Sequence, residues 1–254
     1  VGEIGPDPKF EFNRGLLLNV GFLVANSTYR YNCHVFHDVD HLPINILNDY
    51  GCPDHVRHMA VSVDKFNYTE LYGAYVGGVI SMKTDDFESV NGYSNNYFGW
   101  GGEDDDFFAR IQNAGLWLER PSPEVAIYKT APHAQAEKAK DRLKYLRMSR
   151  KLHQYDGLNS IEISNIRIEK FPLYTWIYVV VDKTSVRNKT EELVKREYNI
   201  WRERIKERKR VEEEENRLRG NFKKMPSRNS EKGSSLDDIP LQEFELDMLA
   251  SNET

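Results

Sequence analysis

Three short stretches of the chain carry residue types that suit chemistry. The longest is Phe98-Gly99-Trp100-Gly101-Gly102-Glu103-Asp104-Asp105-Asp106. Its four acids open a predicted helix, where the positive end of the helix dipole favours them. One or two acids would cap a helix, and four adjacent like charges repel one another. The surplus therefore points to use. Trp100 stands directly before them on a glycine-flanked loop. An aromatic ring beside carboxylates is a way to grip a sugar, since the ring covers C–H faces while the acids bind hydroxyls. One such acid can also act as general base on a hydroxyl.

The second stretch is His37-Asp38-Val39-Asp40. Two carboxylates one residue apart follow a predicted strand, and ligands of open α/β sheets gather at the carboxyl ends of strands. Hard divalent cations prefer carboxylate oxygen, and a nucleoside diphosphate needs such a cation. A solvated acidic turn would read the same way, so this pair gains its meaning from the other motifs. The third stretch is Thr130-Ala131-Pro132-His133, whose imidazole suits manganese or zinc.

These residues need elements to hold them. Apolar spacing predicts a helix over 14–28 and strands over 32–36, 59–63 and 75–82, with Gly77 and Gly78 where a side chain would obstruct a ligand or neighbouring backbone. A short helix follows over 85–90, then the glycine- and aromatic-rich loop 91–102. The acidic helix spans 103–114, with Gly115 as its C-cap. A strand over 116–119, a basic helical segment over 134–154 and strands over 161–167 and 174–181 complete the pattern. Strands interleaved with helices indicate an α/β layered fold. Beyond it, 190–219 reads as one long charged helix, 226–235 as disordered, and 241–249 as a short helix for a partner.

The formal net charge of -5 argues against a nucleic-acid partner. No apolar run is long enough to span a bilayer. Cys33 and Cys52 leave free thiols and one disulfide both open. Sequons at Asn26, Asn67, Asn188 and Asn252 permit a secretory setting without requiring it.

Together these residues resemble the beta-1,4-galactosyltransferase family. The likeness runs from about Phe12 to Val181, with landmarks FNRGLLLNVGF (12–22), FHDVDHLPIN (36–45), VDKF (63–66), YVGGV (75–79), NGYSNNYFGWGGEDDDFFARI (91–111), RPS (120–122) and DGLNS (156–160). The resemblance implies the GT-A nucleotide-diphospho-sugar transferase fold, N-terminally incomplete, in an α/β chain with a long C-terminal helix and a disordered tail. Residues 1–183 would be the C-terminal portion of the catalytic domain, 184–225 a charged helical extension and 226–254 the tail. The reaction would be inverting, from UDP-galactose to the 4-hydroxyl of a terminal N-acetylglucosamine or glucose.

Site roles follow residue by residue from the same likeness. Asp40 and His133 would bind Mn2+. Phe12, Arg14, Asp38, Val39, Lys65 and Gly78 would line the nucleotide side. Trp100 would close over the donor and Glu103 would hold its hydroxyls. Asp104 would be the general base. Tyr72, Asp105, Arg142, Leu143 and Leu146 would meet the acceptor. Tyr75 predicts galactose, because family members with a smaller aliphatic residue there admit N-acetylgalactosamine. Cys33 and Cys52 match a family disulfide, which implies an oxidising compartment. The family resides in the Golgi, held by a membrane anchor absent from this chain.

The sequence departs from the pattern in three places. The best-known members have methionine where this chain has Thr130, which leaves a third metal ligand open. His37 and Val76 resemble the xylose-directed branch, while Asp64-Lys65-Phe66 and the triple Asp resemble the other, so the acceptor stays open. The catalytic front before Phe12 and a counterpart of 184–254 have no match. Two competing readings stand beside the enzyme: an inactive relative or fragment that binds sugar or a protein partner, and a coiled-coil interaction protein built on 190–219.

Overall fold

Asn13 starts the first long element. Its side chain accepts from the Leu16 N–H at 2.9 Å, satisfying one of the orphan donors of helix α1, Arg14–Thr28. Leu16, Leu17 and Val20 of that helix are buried, as the apolar spacing predicts. The structure is a computed structural model that describes residues 2–3, 11–69, 71–134, 136–162 and 166–222.

Among the described residues the strands are, in chain order, β1 Gly2–Glu3, β2 Cys33–His37, β3 His41–Pro43, β4 Val56–His58, β5 Ser62–Val63, β6 Val79–Lys83, β7 Leu118–Glu119, β8 Ile127–Thr130, β9 Ile166–Lys170 and β10 Thr175–Val179. The other helices are α2 Thr84–Ser89, α3 Glu103–Asn113, α4 Arg142–Leu152 and α5 Lys183–Phe222. The strands form three sheets, ordered β2-β6-β4-β7, β3-β8-β5 and β1-β10-β9. Helices interleaved with mixed sheets give the α/β architecture expected.

The main core joins α1, α2 and α3 to the four-stranded sheet. Phe36 stacks on Phe87 at 4.3 Å and Tyr93 on Phe107 at 3.9 Å, with Phe22 and Ile80 in the same cluster. Such ring pairs contribute beyond the area they bury. A second cluster holds Leu16, Leu17 and Phe98 against Ile177 and Val179 of β10.

Several strand and helix boundaries differ from the sequence pattern. The run 59–63 is not one strand: Met59 N–H donates to Val79 O and Ser62 N–H to Ala126 O, so the chain leaves one sheet and enters another between them. The run 75–82 becomes strand only at Val79, because Gly78 turns at φ +79 and breaks the extension. The basic segment 134–154 becomes helix only at Arg142, since Lys138 pairs with Trp100 and Ala139 N–H donates to Trp100 O at 3.0 Å. The strand foreseen over 161–167 forms at Ile166–Lys170, and β3 and β8 were not foreseen.

The chain divides into two compact units at Tyr198 and Asn199. The first holds every strand and α1 to α4. The start of α5 is seated within it: Arg187 donates to Asp141 at 2.6 Å and to Asn96 O at 2.9 Å. In the second unit, α5 carries exposed intrahelical pairs, Lys206–Glu203 and Arg210–Glu207. Pairs of this kind add little stability. The disorder expected over 226–254 and the helix over 241–249 lie outside the described residues. No helix among the described residues is long and apolar enough to cross a membrane.

Cys33 and Cys52 are joined, with Cα atoms 5.5 Å apart and a sequence separation of 19. The closed loop contains Asp38 and Asp40. Replacing both cysteines with serine is expected to cost about 3 kcal/mol. Calorimetry checks this: the wild type should lose melting temperature in reductant, and the double-serine variant should be indifferent to it. Equal melting temperatures for both proteins would mean the bond adds nothing.

Candidate active site

The acidic helix can begin where it does because Gly102 sits at φ +96, with a Cβ there only 2.8 Å from the Tyr97 ring. No side chain caps α3 from outside; instead Asp104 Oδ1 accepts from the Asp105 N–H at 3.0 Å. The four acids then part company. Asp106 turns into the core, where Arg110 Nε donates to it at 2.6 Å. Arg110 also donates to Asp156 O at 2.8 Å, and both it and Asp106 are buried. Glu103, Asp104 and Asp105 remain part-buried.

Arg14, at the start of α1, stands between the two acidic motifs. Its Nε donates to Asp38 Oδ1 at 2.6 Å, and its Nη1 lies 3.8 Å from Glu103 Oε1. Arg14 Nη2 and Glu103 Oε2 are buried without a hydrogen-bond partner. Buried polar atoms are nearly always paired, so these two have capacity for a further polar partner. Burial pushes the Glu103 carboxyl above the usual range, the Asp104 charge adds to it, and Arg14 opposes. Asp104 is raised by burial too, with Arg14 again opposing. For Asp105 burial comes first and the Asp104 charge second. Burial and mutual repulsion outweigh Arg14 and Arg142, so these three carboxyls hold protons more tightly than isolated ones.

Asp40 lies at the turn between β2 and β3. His41 Nδ1–H donates to its Oδ1 at 2.9 Å, and His133 Nε2 faces its Oδ2 at 3.0 Å. Burial would raise the Asp40 carboxyl, but His41 and Lys65 outweigh it and hold it below the usual range. His133 Nδ1 lies 3.0 Å from Ala134 O, a carbonyl that can only accept. In the tautomer with its proton on Nδ1, His133 turns the Nε2 lone pair toward the Asp40 carboxylate. Two acceptors at that distance need a proton or a cation between them. Ligands in adjacent positions on a small divalent ion sit about 3 Å apart, and metal-binding histidines usually donate their other N–H to a carbonyl or carboxylate. Asp40 and His133 therefore fit a divalent cation. Asp38, Asp40 and His41 also cluster within 4.8 Å. Of these, Asp38 is engaged by Arg14. His41 is buried, with Nε2 only 2.9 Å from where a Gly78 Cβ would lie, so it orients Asp40.

On the other side of α3, Tyr72 donates its hydroxyl to Asp105 Oδ1 at 2.8 Å, and the Arg142 charge reaches the same carboxyl. Burial raises both the Tyr72 and Tyr75 hydroxyls, with Asp104 the next cause for each. Tyr75 packs edge-on to His58 and Phe66. Trp100 is 45% exposed, with Lys138 Nζ 6.0 Å from its ring centre. Phe12 O accepts from Gly99 N–H at 2.8 Å, tying the start of α1 to the Trp100 loop.

The fold thus gathers Arg14, Asp38, Tyr75, Glu103 and Asp104 in one group, Asp40, His133 and Lys65 in a second, and Tyr72, Asp105 and Arg142 in a third. Leu143 and Leu146 are part-buried on α4, while Val39 is almost fully exposed, at 99%, on the loop between the two aspartates. Sequence reasoning missed His41 and Asp64. Asp64 Oδ1 accepts from Lys65 N–H, Thr130 N–H and Thr130 Oγ1–H at 2.7, 3.0 and 2.8 Å. Adjacency to Asp40 and to Lys65 was the one signal for either residue.

The chain is similar in sequence and fold to known proteins. Residues 57–134 match the family model described as the N-terminal domain of galactosyltransferase, and residues 5–53 that of the N-terminal region of glycosyl transferase group 7. The chain is 39% identical over 171 residues to mouse (Mus musculus) beta-1,4-galactosyltransferase 1, covering 66% of this chain and 43% of that protein. It is 39% identical over 175 residues to human (Homo sapiens) beta-1,4-galactosyltransferase 4, covering 68% of this chain and 50% of the relative. The chain thus spans about half the length, or less, of these curated relatives. Among solved structures, the catalytic domain of Drosophila beta-1,4-galactosyltransferase 7 with xylobiose superposes with a TM-score of 0.55 at 28% identity, covering 70% of this chain and 79% of that one. A mutant of the same enzyme, in complex with manganese, UDP-Gal and xylobiose, gives 0.54 over the same shares.

Proposed function

Since the chain belongs to the beta-1,4-galactosyltransferase family and has its GT-A fold, we propose that it moves galactose from UDP-galactose to the 4-hydroxyl of a terminal N-acetylglucosamine, glucose or xylose, with inversion. The observation that carries this reading is the placement of Arg14 between Asp38 and Glu103, with Asp104 beside them. It puts a nucleotide-side carboxylate and the acid block around one cation.

Asp104 takes the proton from the acceptor hydroxyl as its oxygen attacks the far face of the anomeric carbon. Glu103 and Tyr75 hold the galactose hydroxyls. Tyr72, Asp105 and Arg142 hold the acceptor, with Leu143 and Leu146 against its apolar side. Phe12, Arg14, Asp38, Val39, Lys65 and Gly78 lie on the nucleotide side. Trp100 covers the sugars and limits loss of donor to water. Asp40 and His133 hold Mn2+, which when bound neutralises charge on the departing diphosphate. The catalytic portion falls within residues 1–183, with 184–225 a charged helical extension. The disulfide suits an oxidising compartment, and the Golgi lumen is the location proposed. A second reading, an inactive sugar-binding relative, is favoured by Thr130 standing where the best-known members have methionine, since its hydroxyl is engaged by Asp64 and supplies no third metal ligand.

Two measurements separate the readings. Mn2+ with UDP should raise the melting temperature, because a ligand at 100 times its Kd adds about 2.7 kcal/mol. UDP release from UDP-galactose should rise above background with one of N-acetylglucosamine, glucose or a xyloside. A thermal shift without release under any acceptor would favour the inactive relative; no shift at all would remove the donor site.

A further inference from the structure

Thr130 makes a set of contacts that the reaction above leaves unexplained. It ends β8, opposite His41 in β3. Its N–H and hydroxyl both donate to Asp64 Oδ1, the oxygen that also accepts from Lys65 N–H. Asp64 opens the 3-10 turn Asp64–Phe66, whose closing bond runs from Asn67 N–H to Asp64 O at 2.9 Å. One carboxylate oxygen thus joins the turn bearing Lys65 to the strand bearing Thr130. One residue on, Ala131 N–H donates to Asp40 O at 2.8 Å, and three residues on, His133 faces the Asp40 carboxylate.

We propose that Thr130 is a positioning residue: through Asp64 it fixes the Lys65 turn and the Asp40–His133 pair as one preset cradle for the donor's diphosphate. A diphosphate needs a lysine and a cation held at a fixed separation. A turn free to shift would have to be ordered at each binding event, and that ordering weakens affinity. The inference rests on the galactosyltransferase reading. Valine keeps the shape of Thr130 and removes the hydroxyl donor, whereas serine keeps the donor and removes the methyl.

Isothermal calorimetry of UDP binding in saturating Mn2+, on the full chain, tests the cradle alongside the metal-free melting temperature. Thr130→Val is expected to weaken UDP about 5-fold, the order of the cost of ordering one freed side chain at each binding event. Its metal-free melting temperature should stay within about 2 °C of wild type on the scale set for small stability changes. KM for UDP-galactose should rise more than kcat falls, and Thr130→Ser should bind as the wild type does. Equal binding by Thr130→Val and wild type would overturn the proposal. So would equal weakening by Thr130→Ser, or a fall in melting temperature with affinity unchanged. A wild type that does not bind UDP with Mn2+ would instead overturn the galactosyltransferase reading beneath it.

Discussion

Replacing Asp104 with asparagine is expected to reduce galactose transfer by about 100-fold or more, within the range that general bases contribute. UDP binding in Mn2+ should persist, because Arg14 still pairs with Asp38 and the Asp40–His133 pair is untouched. The same substitution should leave the ligand-free protein at least as stable. Burial raises Asp104 above the ordinary carboxylate value, so the folded state binds its proton more tightly than the unfolded state does. Below the ordinary value both states are protonated and there is no penalty. As pH rises from there through the raised value, the folded state loses stability relative to the unfolded one. Asparagine carries no such penalty, and a melting temperature at pH 8 equal to or above wild type is the expected sign. In the wild type, transfer should fall as pH drops and the base becomes protonated, with the fall beginning above the ordinary carboxylate range. Turnover within about tenfold of wild type would remove Asp104 from the role of base.

The largest stability effect is expected at Arg110. It is buried between Asp106 and Asp156, with Nε 2.6 Å from the first and Nη2 3.6 Å from the second. Arg110→Met would leave two buried carboxylates facing each other without a cation. Removing one partner of a buried ion pair costs about 3–5 kcal/mol, a large part of the roughly 5–15 kcal/mol that holds a domain folded. Urea unfolding measures it, and a midpoint close to wild type would show that the Arg110 ion pairs add little to stability. Lysine should rescue little, because it lacks the fork that also reaches Gly92 O and Asp156 O.

The helices were legible in the sequence where caps and spacing agreed. Asn13 before an apolar run marks α1, and the acid cluster with Gly115 marks α3. Strands were harder, because Met59–Val61 is apolar for a reason other than pairing within one sheet. It is buried where the chain crosses from β4 to β5. The Tyr75–Gly78 run looked extended, but Gly78 at φ +79 bends it so that its carbonyl accepts from Asp38 N–H. β8 is hidden by its four-residue length, too short for a period to show. Among the acids, adjacency could not say which one faces inward. The i,i+4 spacing of Asp106 and Arg110 was the available clue, and it was not used. His41 needed the coordinates, since nothing in His-Asp-Val-Asp-His tells which histidine lies under the strand.

The split within the acid block has an evolutionary consequence. Glu103, Asp104 and Asp105 are part-buried and carry the proposed roles in transfer, while Asp106 faces the core through Arg110 and Asp156. A lineage released from selection for transfer can therefore lose the first three without unfolding, and shed a source of charge repulsion as it does so. The fourth acid and its arginine remain under selection for as long as a folded sugar-binding protein is of any use. A descendant that keeps Asp106 and Arg110 but has neutral residues at 103–105 would be the expected trace of an enzyme turned binding protein.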